Sequence, residues 1–466
     1  MKIKDYIVIF LAVAATLLLP PLLWKWQKSI FWSTYGEGYQ IFELFGFIGA
    51  AALFALAYYR YRTHKVNNAG YPIHEIFFLL LSFAFLIIFS ELSHKSWDYR
   101  FIENAARALQ AGKDPWAGTL HTYPPLTTRT MVKIHSILPV SFETGWTLVF
   151  FIFQVCEYWL IVAGAFLTYR FTKLIVNNPA LAMTITALFF LFNNPLFRTI
   201  RFNQVNIWLY VIFLGTFLYL EKRPILSGIS LALGMHIKIY PIIFLFPWFI
   251  QRRFIAVAAG IIGIAFWLLL QTSFFTDWFQ WKCYLNFWGN FPHGWYFRDN
   301  SFHSLMLNTM KEVGRRIIDI GPERVFFLSK ISAYVLSFTS LIYFAVRILK
   351  REYAFLKFGL PEFSRKAGHF CDTLLLMMFI SPLVWEHHLI FAIPVAIWAM
   401  FTVKKHSVLV LIAALIIFLP PTFDIYPFSY HRLLGLLILA FTIPVKAELL
   451  PSPPFMKHIS FGKVLK

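Results

Sequence analysis

The chain has 466 residues, of which 59% are hydrophobic and only 14% are charged, and its mean hydropathy is +0.64. This composition excludes an ordinary soluble globular protein. The formal charge of +20 does not indicate a nucleic-acid-binding protein, because Lys and Arg stand between apolar blocks, where they set membrane topology. The three cysteines predict neither a disulfide framework nor a thiolate metal site. We therefore predict an all-α polytopic membrane protein.

Apolar blocks recur along the chain and predict about 12–14 transmembrane or partly spanning helices. We predict one integral membrane domain over 1–450, followed by a basic cytoplasmic tail at 451–466. The blocks lie at 5–23, 41–59, 75–90, 146–168, 179–192, 205–220, 225–237, 239–250, 254–270, 326–348, 371–384, 388–402, 407–420 and 431–446.

The distribution of Lys and Arg predicts that both termini are cytoplasmic. The short loops assigned to the inside are basic, whereas the turns at 385–388 and 421–430 contain neither Lys nor Arg. The positive-inside rule then places two long segments, 91–145 and 271–325, on the outer face. We accordingly expect a multi-pass protein of the inner (plasma) membrane whose site opens on the extracytoplasmic side.

The first long outer segment begins with an amphipathic helix. Apolar residues recur at helical spacing between 97 and 110, with charged residues on the other side. Ser96 is placed to cap this helix and Gly112 to end it. The prolines that follow, in Asp114-Pro115 and Tyr123-Pro124-Pro125, predict a stiff loop.

Two later stretches are not uniform apolar helices. The stretch 224–253 contains Lys238 and Pro241 in its middle, which predicts two short helices meeting at a bend. The stretch 193–206 carries Arg198 and Arg201 between two apolar blocks, and we predict a polar turn there.

One carboxylate is the preferred candidate for a general base. Asp98 lies in the first turn of the predicted helix, where the helix dipole favours its ionised form, although this position equally suits a structural acid. Asp114 is the alternative base, or simply a turn residue before proline. Glu103 is expected to be solvated or to pair with Arg107 four residues later.

Cations and amides predominate among the remaining polar candidates, a composition that suits a phosphate group. Lys238 at membrane depth is a functional candidate, or a side chain that reaches the interface. Glu386, His387 and His388 are acceptable metal ligands, but adjacent histidines point in different directions, so we predict no cofactor and leave a divalent metal open. The predicted substrate-binding residues are Lys238, His387, His388, Arg198, Arg201, Asn203, Gln204, Asn206, Arg298, Asn300 and Tyr123.

An ordered set of short motifs resembles glycosyltransferase family 87, bacterial mannosyltransferases of the GT-C fold that use polyprenyl-phosphate mannose. The motifs occur in the family's order between about residues 90 and 400. They are Asp-Tyr, Gly-Lys-Asp-Pro-Trp and Tyr-Pro-Pro-Leu within 98–126, Asn-Gln-Val-Asn at 203–206, Ile-Lys-Ile-Tyr-Pro at 237–241, Asp-Asn-Ser at 299–301 and Trp-Glu-His-His at 385–388.

The resemblance implies a GT-C-like fold and an inverting transfer of a sugar, mannose by analogy, from a polyprenyl-phosphate donor to a lipid-linked or glycan acceptor. It assigns Asp98 as the base, and Lys238, His387 and His388 as contacts of the donor phosphate. The rival function is a secondary transporter or lipid flippase, which would also use broken helices and buried charges. A purely structural membrane protein would leave Lys238 and the clustered polar motifs unexplained.

Overall fold

The computed structural model of this chain describes residues 81, 84, 85, 88, 95–117, 121–290, 299–316, 321–420, 426–446 and 449. Several predictions lie outside these residues. They are the blocks at 5–23 and 41–59, most of the block at 75–90, the tail at 451–466, and Arg298.

Within the described residues the regular secondary structure is entirely helical. Three short 3-10 turns, Tyr240–Phe244, Glu386–Phe391 and Phe428–Tyr430, interrupt the α-helices. The α-helices are α1 Trp97–Gln110, α2 Pro125–Ile137, α3 Phe142–Val176, α4 Pro179–Leu191, α5 Asn194–Arg201, α6 Asn206–Tyr219, α7 Pro224–Ile237, α8 Leu245–Ile250, α9 Phe254–Gln271, α10 Phe279–Asn290, α11 Phe302–Arg316, α12 Pro322–Phe358, α13 Glu362–Ile380, α14 Ala392–Thr402, α15 Ser407–Phe418 and α16 His431–Thr442.

Several of these helices have the length and composition of membrane spans. Helices α3, α9 and α12 pass both criteria, and α4 with α5 forms a bent pair, at 55°, that passes them together. Shorter apolar helices, including α6, α7, α15 and α16, accompany them in the chain. The all-α membrane class predicted from composition is confirmed, while many predicted blocks correspond to helices too short to cross alone.

Helix α1 forms for the local reasons that its sequence indicates. The Ser96 hydroxyl accepts a hydrogen bond from Tyr99 N–H at 3.1 Å, as an N-cap residue does. Gly112 follows the helix with φ of +69°, a left-handed conformation that glycine adopts without strain. Glu103 pairs with Arg107, as predicted; its side chain is buried rather than solvated and pairs with Lys95 as well.

The predicted bend near Lys238 is present. Helix α7 ends at Ile237, Lys238 adopts an extended conformation, and the chain resumes as the turn Tyr240–Phe244 and then α8. Pro241 lacks an N–H and cannot continue the hydrogen bonding of α7. The break exposes the Lys238 side chain to the interior of the bundle.

The predicted polar turn at 193–206 is wrong over most of its length, since residues Asn194–Arg201 form helix α5. The Asn193 side chain caps this helix by accepting from Leu196 N–H at 2.8 Å, and Pro195 occupies its first turn. Arg198 and Arg201 are therefore arranged along a helix rather than along a loop.

Close packing and a buried ion cluster hold the bundle together. A Cβ atom on Gly228 of α7 would lie 2.4 Å from the Ala256 carbonyl oxygen of α9, so this crossing requires glycine. Between α12 and α13, the Asp372 carboxylate pairs with Arg347 at 3.0 Å and with Arg351 at 2.7 Å, fully buried. The predicted block 371–384 is shorter than the observed helix, since α13 begins at Glu362.

Candidate active site

A cavity of about 670 Å³ lies between the bend that follows α7 and the start of α1. Its wall combines segments far apart in the sequence, namely the start of α1, the loop before α2, the bend after α7, helix α10 and the stretch 380–388. Of the predicted site residues, the structure brings Asp98, Tyr123, Gln204, Lys238, His387 and His388 to this cavity.

Asp98 lies at the cavity wall in a defined hydrogen-bond chain. Gln204 Nε2 donates to Asp98 Oδ2 at 2.5 Å, and the Tyr123 hydroxyl donates to Gln204 Oε1 at 2.5 Å. Within the described part of the chain, nothing forms a hydrogen bond with the other carboxylate oxygen, Oδ1. This hydrogen-bond chain fixes one oxygen of the carboxylate at the cavity wall.

The environment of Asp98 shifts its protonation. Burial raises the pKa of this carboxyl group to about 6, while the hydrogen bond from Gln204 and the positive charge of Lys238 act in the opposite direction. A carboxylate with this pKa is mostly ionised at neutral pH and is also basic enough to accept a proton.

The start of α1 is attached directly to the segment that carries Gln204. Ser96 Oγ donates to the Phe202 carbonyl oxygen at 2.8 Å, and Ser96 N–H donates to Asn203 Oδ1 at 3.1 Å. Asn203 is fully buried, with φ of +50°, and lies behind the cavity wall rather than on it. Its position supports Asp98 and Gln204 instead of offering a direct contact to substrate.

Lys238 contributes a buried amine to the cavity wall. Its Nζ lies 2.7 Å from Asn206 Oδ1 and 2.7 Å from His388 Nε2. Trp385 N–H donates to His388 Nδ1 at 3.0 Å, which orients the imidazole toward Lys238. Asn206, at the start of α6, holds the lysine from behind, because it is fully buried and does not line the cavity.

His387 lines the cavity beside His388, and its ring stacks against that of Trp385 with an interplanar angle of 3°. The turn that carries both histidines is anchored by Glu386. This carboxylate pairs with Arg198 at 3.2 Å and with Arg432 at 2.6 Å, all three side chains being buried.

Arg198 thus orients the histidine turn and does not itself line the cavity. Arg201 is half-buried, with its guanidinium 5.9 Å from the centre of the Phe202 ring, and it also lies outside the cavity wall. Arg432 was not among the predicted residues. Its signal was a single arginine inside an apolar block, where an unpaired charge is costly.

A second set of hydrogen bonds joins residues 299–300, which precede α11, to Val384, which precedes the turn with His387 and His388. Val384 N–H donates to Asp299 Oδ1 at 2.7 Å, and Asn300 N–H donates to the Val384 carbonyl oxygen at 2.8 Å. Burial raises the pKa of Asp299 to about 6. Asp299 and Asn300 are both buried and do not line the cavity. They therefore support the cavity wall through Val384 and do not contribute to its surface.

The lining residues that were not predicted as site candidates include His121, Thr122 and Tyr284. His121 and Thr122 precede Tyr123 in the loop before α2, and Tyr284 comes from α10. Trp97 and Trp288, interpreted from the sequence mainly as interfacial aromatics, also line the cavity. The described residues contain no group of three His, Cys, Asp or Glu side chains placed to bind a metal.

Comparison with known proteins gives a family match and one relative. Residues 121–360, just over half of the chain, match the model of Glycosyltransferase family 87. GPI mannosyltransferase 1 of Saccharomyces cerevisiae is 29% identical over 156 residues, covering 32% of this chain and 34% of that protein. The alignment thus spans about a third of this relative. No solved structure matches this chain.

Proposed function

Because this chain belongs to glycosyltransferase family 87, we propose that it transfers mannose from a polyprenyl-phosphate donor to a lipid-linked or glycan acceptor, with inversion, at the extracytoplasmic face of the plasma membrane. The choice of mannose is supported by the name of the yeast relative. The long apolar helices place the chain in a membrane, which suits a lipid-linked donor.

The observation that carries the proposal is the pairing of Asp98 and Lys238 across one cavity. Asp98 supplies a carboxylate, and Lys238 supplies a buried amine hydrogen-bonded to Asn206 and His388. Glycosyl transfer from a phosphate needs both, because a hydroxyl loses a proton while negative charge develops on the leaving group.

The proposed reaction is a single displacement. The acceptor hydroxyl oxygen attacks the anomeric carbon, and its proton passes to Asp98 Oδ1. The bond between the anomeric carbon and the phosphate oxygen breaks, and its electron pair stays on the phosphate, where Lys238 stabilises the charge. One displacement without an enzyme nucleophile inverts the anomeric configuration, as in inverting glycosidases.

Replacement of the base tests the proposal. We expect Asp98→Asn to lower transfer from polyprenyl-phosphate mannose by about a hundredfold to ten-thousandfold, the usual contribution of a general base, while donor binding persists. Asp114→Asn is the matched control, because Asp114 accepts a hydrogen bond from Trp116 N–H at 2.8 Å and does not line the cavity. Near-normal turnover of Asp98→Asn would refute the assignment.

The transporter or flippase alternative lacks comparable support. It would need buried charges at the bilayer midplane on a repeated architecture, whereas the family match is to a glycosyltransferase. Measurement of released polyprenyl phosphate separates the two functions, since a transporter leaves its lipid substrate chemically intact.

A further inference from the structure

The hydrogen bonds of His388 determine which of its ring nitrogens carries the proton. The backbone N–H of Trp385 lies 3.0 Å from His388 Nδ1, and a backbone amide nitrogen can only donate. Nδ1 is therefore the acceptor nitrogen of a neutral imidazole, whose single N–H is at Nε2. A doubly protonated ring would instead place two donors face to face at this contact.

The proton on His388 Nε2 determines in turn the state of Lys238. The lysine Nζ lies 2.7 Å from His388 Nε2, which must donate. An ammonium group has three donors and no lone pair, so it cannot accept this bond, whereas a neutral amine can. The amine then donates one N–H to Asn206 Oδ1 at 2.7 Å, and its second N–H is left for the cavity. These contacts are those of an uncharged lysine.

The surroundings of Lys238 allow it to gain a charge when an anion enters. Burial disfavours an ammonium group that has no counter-ion close by. Two tyrosine rings, of Tyr123 and Tyr240, have their centres 5.4 and 5.8 Å from Nζ, a distance at which an aromatic face attracts a cation. The titratable groups facing Lys238 are Asp98 from α1, Tyr123 from the loop before α2, Tyr240 from the turn after α7, and His387 and His388 from the 3-10 turn before α14.

We propose that His388 holds Lys238 as a neutral amine in the free protein and that binding of the donor phosphate is coupled to protonation of Lys238. This inference rests on the function proposed above, because it takes the phosphate of the polyprenyl-phosphate donor as the anion. One proton enters from solvent, and the hydrogen bond from His388 Nε2–H to Lys238 breaks. The ammonium group and the Nε2–H then each donate to a phosphate oxygen. His388 is thus a positioning residue for Lys238 before the donor binds and a contact of the phosphate afterwards.

Protonation of Lys238 in the donor complex also affects the base. A positive charge on Lys238 favours the ionised form of Asp98. The charge therefore reaches the site together with the phosphate that it stabilises, and Asp98 is kept ionised in the complex in which it accepts the acceptor proton.

Calorimetry of donor binding measures this coupling directly. Polyprenyl-phosphate mannose is titrated into the full-length protein in lipid nanodiscs at pH 8, in HEPES and in Tris, two buffers whose ionisation enthalpies differ. The donor is a phosphodiester and does not titrate near this pH. We expect uptake of about one proton per donor bound, and a Kd that rises by up to about tenfold per pH unit as the pH increases. Donor binding without proton uptake would overturn the proposal.

Variants assign the proton to a residue. In Asp98→Asn, uptake of about one proton should persist, and its loss would assign the proton to Asp98 and overturn the proposal. His388→Gln supplies an amide oxygen that can accept from an ammonium group, so Lys238 is charged before binding and uptake should fall below about half a proton. His236→Gln is the matched control, because His236 is also buried and hydrogen-bonded but does not line the cavity. Unchanged uptake in His388→Gln would contradict the role of His388.

Nuclear magnetic resonance of the free protein tests the lysine without any donor. Protein with isotope-labelled lysine side-chain nitrogens is compared with Lys238→Met, which identifies the Lys238 resonance. At pH 8 this resonance should have the chemical shift of an amine, and the shift of an ammonium group would overturn the proposal even if His388→Gln does not fold. An amine shift in a protein that binds no polyprenyl-phosphate sugar would support the neutral lysine and refute the proposed function.

Discussion

Gln204 offers the sharpest test of how the candidate base is tuned. Its amide bridges the Tyr123 hydroxyl and the Asp98 carboxylate through two bonds of 2.5 Å. Gln204→Leu keeps an uncharged, branched side chain that is one atom shorter, and it removes both hydrogen bonds. The carboxylate then loses the hydrogen bond that favours its ionised form, while the burial that raises its pKa remains.

The size of the effect follows from the strength of that bond. A hydrogen bond to a charged group is worth about 1.5–3 kcal/mol, and 1.36 kcal/mol corresponds to one pH unit. The pKa of Asp98 should therefore rise from about 6 to roughly 7–8. A base acts in its ionised form, so activity is lost as the pH falls through the pKa. At pH 7 we expect a decrease of about two- to tenfold, and at pH 9 little decrease.

The assay is the pH dependence of kcat/KM with polyprenyl-phosphate mannose as the limiting substrate. The acidic limb should lie near pH 6 in the natural protein and move upward in Gln204→Leu, with a smaller move in Tyr123→Phe. Tyr210→Phe is the control. Tyr210 is buried, its hydroxyl lies 2.6 Å from Thr168 Oγ1, and it does not line the cavity. An unmoved acidic limb in Gln204→Leu would show that this amide does not tune Asp98.

Three further predictions concern the donor site and the bundle. Lys238→Ala should raise the Kd for a polyprenyl-phosphate donor at least tenfold by calorimetry, and unchanged affinity would make Lys238 an interfacial residue. Asp372→Asn leaves two buried arginines without their counter-charge, so we expect a loss of about 3–5 kcal/mol and a lower Tm; an unchanged Tm would contradict this role. Gly228→Ala forces its crossing helix away from Ala256, at a cost of about 1–3 kcal/mol. Gly215→Ala, where an added Cβ meets nothing within 4 Å, should change the Tm little, and equal Tm values for both glycine variants would refute the packing argument.

Features governed by neighbouring residues could be predicted from the sequence. The helix at 97–110, its Ser96 cap and the break at Lys238 each depend on side chains within a few positions of the backbone that they affect. The same holds for the pairing of Glu103 with Arg107, one helical turn apart.

Features that depend on distant partners could not be predicted. Gln204 was predicted as a substrate-binding residue and lines the cavity, but its hydrogen bond to Asp98, 106 positions away in the sequence, had no signal in the sequence. Glu386 was grouped with the histidines, and only the folded chain pairs it with Arg198 and Arg432. Because sequence patterns specify helix faces rather than which helices meet, they identified the polar residues without separating those that line the cavity from those that support it.

The bridge between Tyr123 and Asp98 has a consequence for the path of the proton. An amide donates through nitrogen and accepts through oxygen but does not titrate at physiological pH, so it cannot hand a proton onward as an imidazole or a carboxyl group does. Gln204 therefore insulates Asp98 Oδ2 from the interior of the bundle. In the proposed reaction, the proton taken from the acceptor then departs from Oδ1, through the space that the glycosylated product vacates, so that resetting the base is coupled to product release.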